Sequence, residues 1–197
     1  MIYTDLVSAL EAFLDRPEMA PSIPIFVTMG EARINRLLRH RMMLETTTLT
    51  PSSGLVALPA DFLEPLTVTL DTGQQLDNAS PQDMAQRRYQ DGVGGGPPRA
   101  YTVVGANLQL YPAPTASTNV ELVYYGSLSP ANPSGNWLLT TYPDLYLSAC
   151  LYAAHVFARE NEEAEAMDAL LQRQIQELNV AREGFGARLA PRPSTVI

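Results

Sequence analysis

The stretch NWLLTTYPDLYLSACLYAAHVFARE, Asn136 to Glu160, decides how this chain folds. Pro143 suits the first position of a helix, where its missing N–H costs nothing, and Asp144 places a negative charge at the positive end of the helix dipole. A helix is therefore predicted from Tyr142 or Pro143 to about Glu160. Along it Leu145, Ala149, Tyr152 and Val156 form one stripe, and Leu147, Leu151, Ala154 and Phe157 form another. No Asp, Glu, Lys or Arg lies between Asp144 and Arg159. A helix apolar nearly all round belongs in a core, where each fully buried large side chain contributes about 1.5 to 3 kcal/mol. Ser148, Ala149, Cys150, Ala153 and Ala154 are small enough for neighbouring helices to approach the backbone closely.

Two flanking segments supply those neighbours. Asn161 caps a following helix whose first turn holds Glu162, Glu163 and Glu165, and whose stripe Ala164, Met167, Leu171, Ile175 and Leu178 faces inward until Gly184 and Gly186 end it. Towards the N-terminus, Thr4 caps a short helix carrying Leu6, Leu10, Phe13 and Leu14. After the prolines of Arg16–Pro24, a helix of about twenty residues is predicted from near Ile25 to Glu45. Its core face is Phe26, Gly30, Ile34, Leu37 and Leu38, with Glu31, Arg36 and Arg39 outside it. Phe26, Ile34, Leu37, Trp137, Leu145, Leu151, Tyr152, Val156, Leu171 and Ile175 are the candidate core of this helical part.

From Thr46 the period changes from helix to strand. Thr46 to Thr48 are β-branched, Leu55–Leu58 follows the Ser52-Ser53-Gly54 turn, and Pro65–Leu70 alternates. Asp71-Thr72-Gly73 reads as a turn, Gln74–Asn78 as a return strand, and Ser80-Pro81-Gln82-Asp83 as the start of a short helix to about Tyr89. The loop Asp91–Pro98 is too rich in Gly and Pro for regular structure. Tyr101–Val104 and Leu108–Tyr111 flank Gly105-Ala106-Asn107 as a hairpin, and Val120–Tyr125 is a further strand. The fold class is thus α+β: a helical bundle from residues 1–45 and 130–186, an inserted β-rich lobe at 46–129, and an extended tail at 187–197.

Composition limits function. The net charge of -8 argues against non-specific affinity for nucleic acid or an anionic membrane. All 13 basic residues are Arg. The N-terminus lacks a basic region followed by an apolar run, so a soluble, unexported chain is expected. The single Cys150 reads as a small buried hydrophobe, not a nucleophile. His40 and His155 have no second ligand at metal spacing, so no metal or other cofactor is expected. The glycine-rich loop ends in two prolines without the Lys a P-loop requires. Asp61 and Glu64 read as a solvated turn, although a small metal-dependent hydrolase or nucleic-acid-processing enzyme could use Asp61, Glu64 or Asp144. A monomeric binding module presenting the glycine-rich loop is a further alternative. No nucleophile has a paired base, so the residues give no positive evidence for an enzyme.

Five strings occur here in order: FVTMGEARINRLLR at Phe26–Arg39, LPADFLEPLTVTLD at Leu58–Asp71, PRAYTVVGANLQLYPAP at Pro98–Pro114, VELVYYGSLSP at Val120–Pro130 and NWLLTTYPDLYLSACL at Asn136–Leu151. Together they resemble the head-to-tail adaptor (connector) protein of tailed bacteriophages, over about residues 25–180. The resemblance implies a structural virion protein of the neck, made in the host cytoplasm. In it twelve copies form a homo-oligomeric ring between the portal protein and a tail or nozzle protein, around a channel that genome DNA crosses without specific binding. It implies no catalysis. The loop glycines Gly92, Gly94, Gly95 and Gly96 are then expected to face a ring neighbour or neck partner. In the tail, Arg188 and Arg192 are expected to meet carboxylates, and Val196 and Ile197 to enter an apolar groove, on the portal or an adjacent subunit.

Overall fold

A computed structural model describes residues 1–91, 95–114, 118–131 and 134–186, the side chains of Asp91 and of residues 180–186 excepted. The helices are α1 (Tyr3–Leu14), α2 (Ile23–Leu37), α3 (Pro81–Asp91), α4 (Trp137–Thr141), α5 (Pro143–Ala158) and α6 (Asn161–Gly186). The strands are β1 (Leu44–Leu49), β2 (Leu55–Ala57), β3 (Phe62–Leu70), β4 (Asp77–Asn78), β5 (Ala100–Val104), β6 (Asn107–Tyr111) and β7 (Val120–Gly126). The architecture is mixed α+β. It divides into two compact units, Met1–Met42 with Leu128–Ile197, and Met43–Ser127.

In the first unit α5 is the centre, with α1, α2 and α6 packed on it. Its small residues set the spacing. A Cβ added to Gly30 of α2 would lie 3.2 Å from Ala149 C, Cys150 N and Cys150 Sγ, so only glycine fits this crossing without displacing α5. Phe26, Ile34, Leu145, Leu151, Leu171 and Ile175 are buried, together with Leu6 and Leu10 of α1. Tyr146, unassigned by periodicity, is the largest fully buried side chain.

Several expectations are corrected here. Leu37 is 39% and Val156 44% exposed, and Trp137 and Tyr152 are only half-buried. Leu37 and Val156 lie in the last turns of their helices, and Phe157, 57% exposed, lies beside Val156. α2 ends at Leu37 and not near Glu45, because Leu38 is extended (φ -88°, ψ 133°) and the helix end finds other partners. The Arg39 guanidinium donates to Asn35 O (2.8 Å) and Leu38 O (2.7 Å), and Asn179 Nδ2 of α6 donates to Leu37 O at 3.4 Å. Residues 41–43 then form a 3₁₀ turn, and β structure begins at Leu44. A second 3₁₀ turn, Pro17–Ser22, precedes α2, which starts at Ile23. Thr4 lies inside α1; the carboxylate of Asp5 instead accepts Ile2 N–H at 3.1 Å. The additional helix α4 is capped by Asn136, whose Oδ1 accepts Leu139 N–H at 2.9 Å.

The second unit contains two sheets, ordered β1-β7-β3 and β2-β6-β5-β4. All pairings are antiparallel except β4 with β5. Val56, Val68, Leu70, Tyr101, Leu108, Leu122 and Tyr124 are among the residues of its core. The β5–β6 hairpin turns at Gly105 with φ 60°, and the turn after β3 places Gly73 at φ 83°. The predicted return strand Gln74–Asn78 is mostly irregular: Gln75 makes a single bridge to Thr69 and only Asp77–Asn78 is strand. At α3, Ser80 Oγ accepts Asp83 N–H (3.1 Å) while Asp83 Oδ2 accepts Ser80 N–H (3.3 Å), a reciprocal cap.

Candidate assembly surface

Two of the carboxylates weighed for catalysis, Asp61 and Asp144, are occupied structurally. Asp61 accepts the Tyr124 hydroxyl at 3.1 and 3.3 Å, and burial, followed by this bond, pushes the Tyr124 phenol up to about 12. Asp144 Oδ2 accepts Gln174 Nε2 at 3.0 Å. Glu64 is exposed on β3. Among the described residues no group of three or more His, Cys, Asp or Glu could hold a metal ion. Cys150 is fully buried, and burial, then the nearby charge of Glu31, push its thiol well above the ordinary range, which leaves little thiolate.

The polar chemistry of the first unit is concentrated where the chain returns to it. Glu31 Oε1 of α2 accepts Ala131 N–H at 2.7 Å and also the hydroxyl of Tyr146. One turn along α2, Asn35 Oδ1 accepts Leu128 N–H at 2.8 Å. Asn136 completes the network, donating from Nδ2 to Ser129 O (2.7 Å) and to the Tyr146 hydroxyl (3.3 Å). Burial first, and the bond to Glu31 second, raise the Tyr146 phenol far above its usual range. These bonds fix Leu128, Ser129, Ala131 and Asn136 against α2 and α5. Periodicity missed them because Glu31 and Asn35 flank the apolar stripe of α2, the usual place of solvated residues, while their partners lie about a hundred positions away.

A second polar cluster joins three helices. Arg33 of α2 pairs with Asp168 of α6 while its guanidinium lies 4.2 Å from the ring centre of Tyr152 on α5. At the other end of α5, Arg159 takes a left-handed conformation (φ 62°) that ends the helix, with Glu160 N–H on His155 O at 3.0 Å. The Glu160 carboxylate receives His155 Nδ1 at 2.8 Å and also pairs with Arg16, and these two contacts hold it below the usual carboxylate range.

The outward surface carries apolar and aromatic groups. Ile25 and Met29, one turn apart on α2, are 55% and 46% exposed, and Tyr89 on α3 is 91% exposed. Of the expected contact residues, Gly95 bridges to Ala113 and Gly96 N–H donates to Ala113 O at 3.2 Å, so that end of the glycine-rich stretch is pinned to the sheet. Gly92, Gly94 and the tail residues Arg188, Arg192, Val196 and Ile197 lie outside the described residues.

A family model described as SU10 adaptor protein matches residues 1–192. The chain belongs to this family of phage head-to-tail adaptors. No curated protein matches the chain. The adaptor family carries a structural role in the phage neck, in contact with portal and tail and in more than one copy. Such a role implies no catalysis. No helix among the described residues is long and apolar enough to cross a membrane. The strings that resemble adaptors contain most of the polar frame that joins α2 to residues 128, 129 and 136. Gly30, Glu31, Arg33 and Asn35 lie in the first, Leu128 and Ser129 in the fourth, and Asn136 and Tyr146 in the fifth.

Proposed function

We propose that this chain is the repeating subunit of a ring of twelve copies that joins the portal to the tail and lines part of the channel for the genome. The observation that carries the proposal is the adaptor-family match over residues 1–192. Physical chemistry is consistent with it. A subunit of net charge -8 without lysine does not grip phosphate that must slide past. A ring also needs a heterologous interface, one patch meeting a different patch on the next copy.

In this reading the helices of residues 1–45 and 130–186 form the bundle and 46–129 the inserted lobe. The glycine-rich loop of that lobe meets a ring neighbour or a neck partner. The tail Ala187–Ile197 docks on the portal or the adjacent subunit, with Arg188 and Arg192 on carboxylates and Val196 and Ile197 in an apolar groove. Pro191 and Pro193 have fixed φ angles that favour extended backbone, which would lower the entropy lost on such docking. Mixing purified chain with its portal and sedimenting the mixture tests this. The expected result is many copies carried with each portal, and strongly reduced binding after deletion of residues beyond Gly186. Absence of co-sedimentation at the same salt, or a single copy per portal, would overturn it.

A further inference from the structure

We infer that Arg87, Arg88 and Arg99, with Tyr89, form a cationic docking patch that receives the acidic first turn of α6, Glu162, Glu163 and Glu165, from a second copy of this chain. The inference rests on the ring reading above and names the contact between its copies. The unit Met43–Ser127 contains eight carboxylates but only these three basic residues, all within thirteen positions of sequence. The fold gathers them. Met84 of α3 packs with Ala79, Ala100 and Tyr111, which seats α3 on the end of β5 and β6. Tyr111 then links the main chains of two of the arginines: its hydroxyl donates to Arg87 O at 3.1 Å and its carbonyl accepts Arg99 N–H at 2.8 Å.

Among the described residues none of the three guanidiniums has an ion-pair partner, although the arginines of the other unit at 16, 33 and 173 do. Beside them Tyr89 is 91% exposed. A rigid aromatic next to unpaired guanidiniums is the composition from which interface anchors are made. The patch needs carboxylates, and a second copy supplies them. Glu162, Glu163 and Glu165 are exposed and also lack partners among the described residues. Because the basic patch and the acidic turn are different surfaces of one chain, their pairing is heterologous, the geometry by which a ring closes.

The test uses two variants of the full chain, Arg87→Glu/Arg88→Glu and Glu162→Arg/Glu163→Arg/Glu165→Arg, each checked for wild-type melting. Assembly on the portal, or self-association in solution, is read by sedimentation velocity. Each variant alone is expected to assemble at least about tenfold more weakly than wild type at low salt, and a 1:1 mixture is expected to recover, since every junction then pairs opposite charges. Wild-type assembly by either variant alone, or no recovery in the mixture, overturns the inference. Loss of binding to duplex DNA by the arginine variant with assembly intact also overturns it, and assigns the patch to phosphate. If wild type gathers on the portal but is indifferent to these substitutions, the ring reading stands without this contact. If wild type does not bind the portal, the ring reading falls, and the charge pairing is judged by self-association of wild type and mixture, whose absence overturns it.

Discussion

Replacing Glu31 with Ala should destabilise the helical unit more than any other change to an apparently peripheral polar residue. The carboxylate accepts two hydrogen bonds, from Ala131 N–H and the Tyr146 hydroxyl, and both donors belong to fully buried residues. Each donor left unsatisfied in the interior costs about 1–3 kcal/mol, or about 2–6 kcal/mol for the pair. Glu31 is itself half-buried and regains hydration in the unfolded chain, so a loss of about 3 kcal/mol is expected. For a chain of this size that lowers Tm by about 6–12 °C. Tyr146→Phe keeps the ring and removes one donor, at about 1.5–3 kcal/mol for a bond to a charged acceptor. With the phenol gone, Glu31→Ala strands only the Ala131 donor. The double variant should therefore be more stable than the sum of the singles predicts by at least about 1 kcal/mol. Urea unfolding followed by Trp137 fluorescence is the assay, because the only tryptophan lies in the helical unit, stacked 5.2 Å from His40. Additive effects, or a Glu31→Ala loss below about 0.5 kcal/mol, would refute the reasoning.

Three further substitutions probe other parts of the frame. Gly30→Ala should lower stability by about 1 kcal/mol, because overpacking against the main chain of α5 at 3.2 Å outweighs the gain in helix propensity; a rise in the urea midpoint would show that α2 and α5 separate freely. Arg159→Gly should raise Tm by about 2–4 °C, since glycine relieves the left-handed conformation at φ 62°, and a fall would mean that the side chain contributes more than the strain costs. Burial, and then Arg41, lower the His40 pKa below the ordinary 6.5, so the folded state favours the neutral ring. Its contribution to stability is complete above about pH 6.5 and is lost as pH falls towards the lowered value. His40→Gln should therefore flatten the loss of urea midpoint between pH 7.5 and 5, and an unchanged slope would show that His40 does not carry it.

The central helix was legible because a run without charge from Leu145 to Ala158 has only one inexpensive environment. Its far end was not: Val156 and Phe157 continue the apolar pattern, and a helix stripe in sequence carries no information about where the neighbouring helices stop. The same reason hides the end of α2, where Arg39 to Met42 would tolerate helix and the stop depends on Asn179, about 140 positions away. Short strands were recognised from alternation and turn residues, but the parallel pairing of β4 with β5 depends on α3 lying between them in sequence, which no local pattern encodes. Glu31 and Asn35 carry one faint signal, a polar pair spaced i, i+4 beside a buried stripe in a helix otherwise flanked by arginine. The functional reading came from five ordered strings and not from any chemical constellation, as expected when function lies in surfaces that other subunits complete.

The ring is tested most directly by cryo-electron microscopy of the particle neck, with averaging that imposes no symmetry. The account predicts a closed ring of this chain between portal and tail, twelve copies around an open channel. A neck lacking this chain, or holding it as isolated copies away from the channel, would contradict it.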